Sequence, residues 1–184
     1  MDSEDRDTLI VGLDDSNHAG TAKGEIVVAT FSYLPEDSIV RRWRNRRDRS
    51  QVGGWLKDPR RDFLFMILSA EKYRHSPLNL PTVAPEMIGR FVSLYGAPKT
   101  LKVYFDGHLT SNAKKEVRAR LSGISGIERI TLDNFIKKHN HVSGFSKRPF
   151  CPAVVYCADT IANYLYSQTT SQELLEHPKL ISSP

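Results

Sequence analysis

The sequence predicts a single α/β domain, a five-stranded mixed sheet of order 3-2-1-4-5 with helices on both faces. Three observations carry this. Three β-rich segments come first, with no apolar helical spacing between them. The pattern then alternates helix, strand, helix, strand, helix. And 184 residues, 40% of them hydrophobic, suffice for one sizeable core.

The first strand is Thr8-Leu9-Ile10-Val11-Gly12-Leu13, a nearly continuous apolar run as expected of a central strand, and it ends in Asp14-Asp15-Ser16. Asn17 to Gly24 reads as a turn or short loop. Glu25 to Leu34, rich in β-branched and aromatic residues, is the second strand. A basic insertion over 40–61 follows, and Asp62 to Leu68 is the third strand. Strands joined without a helix pair antiparallel, so these three form a meander. Pro81 to Tyr95 sets Val83, Met87, Ile88, Phe91, Val92 and Tyr95 at helical spacing, with Pro85 tolerable in the first turn.

The fourth strand, Thr100 to Asp106, alternates at Leu101, Val103 and Phe105 and breaks at Gly107. Thr110-Ser111-Asn112 offers N-cap oxygens to a helix through Leu121, whose Lys114, Lys115, Arg118 and Arg120 face water. Ile127 to Leu132 is the fifth strand. A polar loop with His139 and His141 leads to a last helix, opened by Pro149 and Pro152 and running to about Gln168. The domain is thus expected over 8–168, after a disordered start (1–7) and before a tail (169–184) with a short helix around Glu173 that then frays.

A right-handed crossover returns strand four to the side of strand one. Asp14 and Asp106 then end side by side, at the C-terminal edge where the connections diverge and open α/β sheets hold ligands. Two such carboxylates repel unless protonated or bridged by a cation, and an oxygen-only donor set suits Mg²⁺ or Mn²⁺. The plainer alternatives are a turn aspartate at Asp-Asp-Ser-Asn and an Asp-Gly turn at 106–107. Asp159 lies on or beside the inward stripe Val155, Ala158, Ile161, Ala162 and Leu165 of the last helix. A charged group there is costly without a partner. A metal ion supplies one; a hydrogen bond to Tyr or Ser is the alternative.

The net charge of +5 is unevenly placed: 40–61 holds nine Lys/Arg and two Asp, a net +7, leaving −2 for the remainder. Arg41, Arg42, Trp43, Arg44, Arg46, Arg47 and Arg49, with Trp55 beyond, interleave guanidinium and indole, which suits phosphate and base. Lys147 is a further candidate for phosphate, and a solvated hairpin extension is the alternative for the basic stretch. No apolar run approaches the ~20 residues needed to cross a bilayer, and the acidic start lacks signal-peptide features, so a cytoplasmic location is expected. Cys151 and Cys157 form no CxxC and read as small buried thiols.

Strand order and acid placement together resemble the ribonuclease H-like superfamily. Gly12-Leu13-Asp14-Asp15-Ser16 is similar to the Gly-Ile-Asp-Glu opening of type 2 ribonucleases H, and equally to the Asp-Glu-Ser-Gly opening of an uncharacterised prokaryotic family of this superfamily. Val103 to Gly107 resembles their second acidic strand, and Ala158-Asp159-Thr160-Ile161-Ala162 the latter family's Ala-Asp-Leu-Ile-Ala segment. The resemblance implies metal-ligand roles for Asp14, Asp106 and Asp159, with Asp15 as the second acid of the type 2 pattern. Type 1 enzymes add a glutamate in the first helix, which Glu86 matches, with Glu71 a rival, and a mobile histidine where His139 and His141 fall. The Gly-Arg-Gly and Asp-Ser-Lys segments of type 2 enzymes are absent, so recognition of a single ribonucleotide does not carry over. The functional expectation is a metal-dependent nuclease acting on RNA, RNA–DNA hybrid or structured DNA. The alternatives are an inactive nucleic-acid-binding module with a protein partner and, third, a small-molecule phosphatase or nucleotide hydrolase.

Overall fold

The structure, a computed structural model, describes residues 7–16, 24–45, 47–68, 79–107, 109–135 and 150–181. Its elements in chain order are β1 (Thr8–Asp15), β2 (Glu25–Ser32), a 3₁₀ turn (Pro35–Ser38), β3 (Arg41–Arg42), α1 (Arg49–Trp55) and β4 (Arg61–Leu68), then α2 (Asn79–Tyr95), β5 (Thr100–Asp106), α3 (Ser111–Leu121) and β6 (Arg129–Phe135). They close with β7 (Phe150–Cys151), α4 (Ala153–Gln168), α5 (Ser171–Leu175) and β8 (Leu180–Ile181). The main sheet has the order β6-β5-β1-β2-β4-β8. Its first five members reproduce the expected order. β2 runs antiparallel to β1 and β4, while β5 runs parallel to β1 and β6.

The sixth strand corrects the reading of the C-terminal tail. Rather than fraying, the tail pairs Leu180 and Ile181 in parallel with Phe65 and Met66. It is tied down beforehand by the capping box of α5, in which Thr170 and Glu173 cap each other, and by buried Leu174.

Pleat alternation divides the core into two layers. Leu9, Val11, Leu13, Leu101, Val103 and Phe105 point to the face covered by α2 and α3, where Val83, Met87, Ile88, Phe91 and Val117 pack on them. Ile10, Ile26, Val28 and Phe65 point to the other face, covered by α4 through Val154, Val155, Ala158 and Ile161. α4 comes unusually close to β1. A Cβ on Gly12 would meet the Val154 carbonyl carbon at 2.4 Å and the Val155 nitrogen at 2.7 Å, so only glycine fits beneath the helix. Beside it the Thr30 hydroxyl donates to the Val154 carbonyl at 2.7 Å.

The basic insertion is an ordered layer rather than a hairpin extension. β3 pairs antiparallel with β7, just before α4. Asp48 caps α1, accepting from the backbone N–H groups of Ser50 and Gln51. Hydrogen bonds from the Ser50, Gln51 and Asn45 side chains, with a lesser part from the Gln51 backbone, hold its carboxyl well below the usual carboxylate range. Buried Asp37 receives two N–H groups of Arg61 at 2.6 and 3.0 Å, the Ser32 hydroxyl at 2.6 Å and the Trp55 indole N–H at 3.1 Å. Cys151 and Cys157 are free and buried, and burial pushes the Cys157 thiol far up, which suits small core residues.

Candidate functional site

Parallel pairing sets Leu13 opposite Phe105, so Asp14 and Asp106 are the next residues of adjacent strands. Asp14 alternates with Ile10 and Gly12, and Asp106 with Tyr104, whose ring packs with the α4-side core. Both acids therefore lie on the face that α4 covers, at the C-terminal edge where β1 leads to β2 on one side and β5 leads towards β6 on the other. Asp14 is buried and its Oδ1 accepts the Asp15 backbone N–H at 2.9 Å; Asp106 is half-buried and followed by Gly107 at φ 121°, a backbone angle that favours glycine. Asp15 falls on the opposite face by the same alternation and is half-buried.

Asp159 is buried in α4, as its position on the inward stripe led us to expect, with 5% of its surface exposed. Its Oδ1 accepts from Arg47 Nε at 3.4 Å and from Asn163 Nδ2 at 3.0 Å. The partner that burial demands is thus supplied at least in part by an arginine of the basic insertion, where the sequence reading offered a metal ion or a hydrogen bond to Tyr or Ser. Arg47 is the sole non-glycine residue with positive φ (58°) among the described residues, a costly backbone state that the fold imposes where the side chain meets Asp159. Asn163 was missed from the sequence; its signal was the i, i+4 spacing from a buried acid.

Among the described residues, no three His, Cys, Asp or Glu side chains form a group that could hold a metal ion. Asp14 and Asp106, two oxygen donors on neighbouring strand ends of one face, fit the donor chemistry of Mg²⁺ or Mn²⁺. Asp159 is engaged with Arg47. Glu86 does not join them: α2 packs on the opposite face of the sheet, against Leu9, Val11 and Leu13.

The basic stretch divides. Arg41, Arg42, Arg44, Arg47 and Arg49 are exposed, as phosphate binding needs. Trp43 corrects the expectation of a base-stacking indole. It is 6% exposed, stacks on Tyr156 at 3.9 Å, lies under the Arg41 guanidinium at 4.1 Å and donates its indole N–H to the Cys151 carbonyl at 3.0 Å. Trp55 is buried as well. The large rings of the insertion anchor it to the domain. Burial raises the Tyr156 hydroxyl above its ordinary range, and that hydroxyl accepts from the Asp48 backbone and donates to the Asn45 carbonyl. Arg46, Glu71, Lys147, His139 and His141 lie outside the described residues.

No family model and no curated protein sequence matches the chain. Solved structures do. A mutant of Bst-RNase HIII aligns over 91% of this chain and 54% of its own length, with a TM-score of 0.54 and 12% identity. Bst-RNase HIII in complex with Mn²⁺ aligns over 92% of this chain and 55% of its own, with a TM-score of 0.53 and 12% identity. This chain thus spans about half the length of those two structures. No described helix is long and apolar enough to cross a membrane.

Proposed function

We propose that this chain, whose topology is that of the ribonuclease H-like fold, is a metal-dependent nuclease hydrolysing phosphodiester bonds of RNA, RNA–DNA hybrid or structured DNA. What supports this most is a single observation: Asp14 and Asp106 stand at neighbouring parallel strand ends on one face, where connections diverge. The residues that would hold Mg²⁺ or Mn²⁺ are Asp14 and Asp106, with Asp159 as the third acid; Asp15, turned to the opposite face of β1, stands outside the set. Metal bound there supplies an activated water and stabilises the leaving oxygen of an in-line displacement. The chain's own contribution is positional. β1 and β5 fix two carboxylates at adjacent register, α4 screens them from one side, and the exposed arginines over 41–49 hold the polyanionic backbone.

The test is cleavage of end-labelled RNA, hybrid and branched DNA in Mn²⁺, comparing the wild type with Asp14→Asn and Asp106→Asn. Each variant is expected to lose more than about 100-fold in rate while melting within a few degrees of the wild type. Equal cleavage by either variant, or by the wild type in EDTA, overturns the proposal.

One observation favours a second reading, a nucleic-acid-binding module without catalysis. Arg47 and Asn163 occupy the Asp159 carboxylate that a third ligand position requires. Salt-dependent binding with no turnover on any of the three substrates would establish that reading instead.

A further inference from the structure

Arg47 and Asn163, the two partners of Asp159, also line a cavity of about 420 Å³ on the outer side of α4, with Arg49, Tyr164, Tyr166 and Ser167. The size falls in the range of small-molecule sites, ~300–1,000 Å³. Two guanidinium groups, two phenols, an amide and the hydroxyls of Thr160 and Ser167 make a lining that matches an anion joined to an aromatic ring. A second cavity of about 220 Å³, walled by apolar Phe63, Ile161 and Leu165, shares Arg49, Thr160 and Tyr164 with the first. Tyr164 is therefore common to a cationic chamber and an apolar one. It keeps 44% of its surface exposed, with the Arg49 guanidinium 5.0 Å from its ring centroid.

We infer that this double cavity receives one nucleotide of a single strand, its phosphate between Arg47 and Arg49 and its base against Tyr164. Both arginines belong to the +7 stretch of 40–61, so the cavity continues the cationic surface rather than standing apart from it. Arg47 uses its Nε–H on Asp159, and a guanidinium has four further N–H donors for a phosphate. The buried indoles of the insertion leave the stacking to α4, and of the rings lining the two cavities Tyr164 is the exposed one. An unpaired strand is the form of nucleic acid whose bases can turn into such a notch. The inference rests on the nucleic-acid part of the proposed function and names where a strand beside Asp159 is gripped.

The experiment is fluorescence anisotropy with an end-labelled oligothymidylate in EDTA, across a salt series, so that binding is read without cleavage. Wild type is expected to bind with a negative salt slope. Tyr164→Ala should weaken binding about tenfold with its salt slope unchanged, the value of one stacked base, and Tyr164→Phe should stay within about twofold of wild type. Arg49→Gln should reduce the slope by about one phosphate contact. Tyr164→Ala binding as tightly as wild type overturns the inference, as does a wild type that binds no single strand but takes up a phosphopeptide or inorganic phosphate alone. Because metal is excluded, an inactive protein that still shows the Tyr164 dependence keeps this inference while losing the nuclease proposal. Cleavage that survives with Tyr164→Ala binding normally does the reverse.

Discussion

On the face covered by α2 and α3 the contacts are apolar, with Phe31 stacked on Phe91 at 3.9 Å and Met87, Ile88 and Val117 fully buried. On the α4 face the helix touches strand backbone at Gly12, takes a hydroxyl from Thr30, and carries the buried acid Asp159. Next to it the basic insertion is fixed by a buried carboxylate, Asp37. The first face is a volume-filling problem with many solutions. The second is a set of specific polar and steric fits, and it is the face that carries Asp14, Asp106 and both cavities. The candidate site lies on the face with the more specific fits.

The comparison can be broken most sharply at Asp37. Its replacement by alanine leaves the Arg61 guanidinium, only 16% exposed, without its carboxylate. A loss of about 3–5 kcal/mol is expected, read as a lower urea midpoint. A loss under about 1 kcal/mol would make the pair a surface-grade interaction and the insertion self-supporting.

Gly12→Ala is expected to cost up to about 3 kcal/mol, because the new methyl meets backbone atoms rather than a movable side chain. The matching change on the other face, Met87→Leu, should cost under about 1.5 kcal/mol. Thermal melts of the two variants give the contrast directly, and equal losses would erase it.

The smallest effect is a pH dependence at His177. Burial, with Phe65 5.2 Å away ring to ring, and the charge of Lys179 lower its pKa below the ordinary 6.5. The unfolded chain therefore takes the proton first as pH falls. The stability associated with neutral His177 is fully present above pH 6.5 and declines below it. Melting temperature should fall between about pH 7 and 5 in the wild type, and less steeply in His177→Gln. Parallel profiles would show that the tail's contact with β4 does not depend on this ring being neutral.

Much of the fold was legible. The run at 8–13, the alternation at 101–105 and the helical spacing at 81–95 are one-dimensional signals of burial, and a right-handed crossover then leaves little freedom in strand order. The neighbouring positions of Asp14 and Asp106 follow from that order. The burial of Asp159 follows from its place on a helical stripe.

Other features were not legible, for reasons that are physical. Trp43 sits among arginines in the sequence, yet its surroundings are set by Tyr156 and Cys151, more than a hundred residues away. Local composition carries no record of such partners. Tyr164 and Asn163 lie off the helical stripe that marks burial, and the Arg47 and Arg49 that line a cavity with them are more than a hundred residues away. The tail's two-residue strand is too short to carry a period, and the open edge of β4 decides it. Patterns spaced along the chain, then, fixed the scaffold and the place of two acids. Which arginine reaches Asp159, which rings stay exposed and what lies beneath Gly12 were decided by contacts between segments distant in sequence, whose energies exist only once the chain has closed on itself.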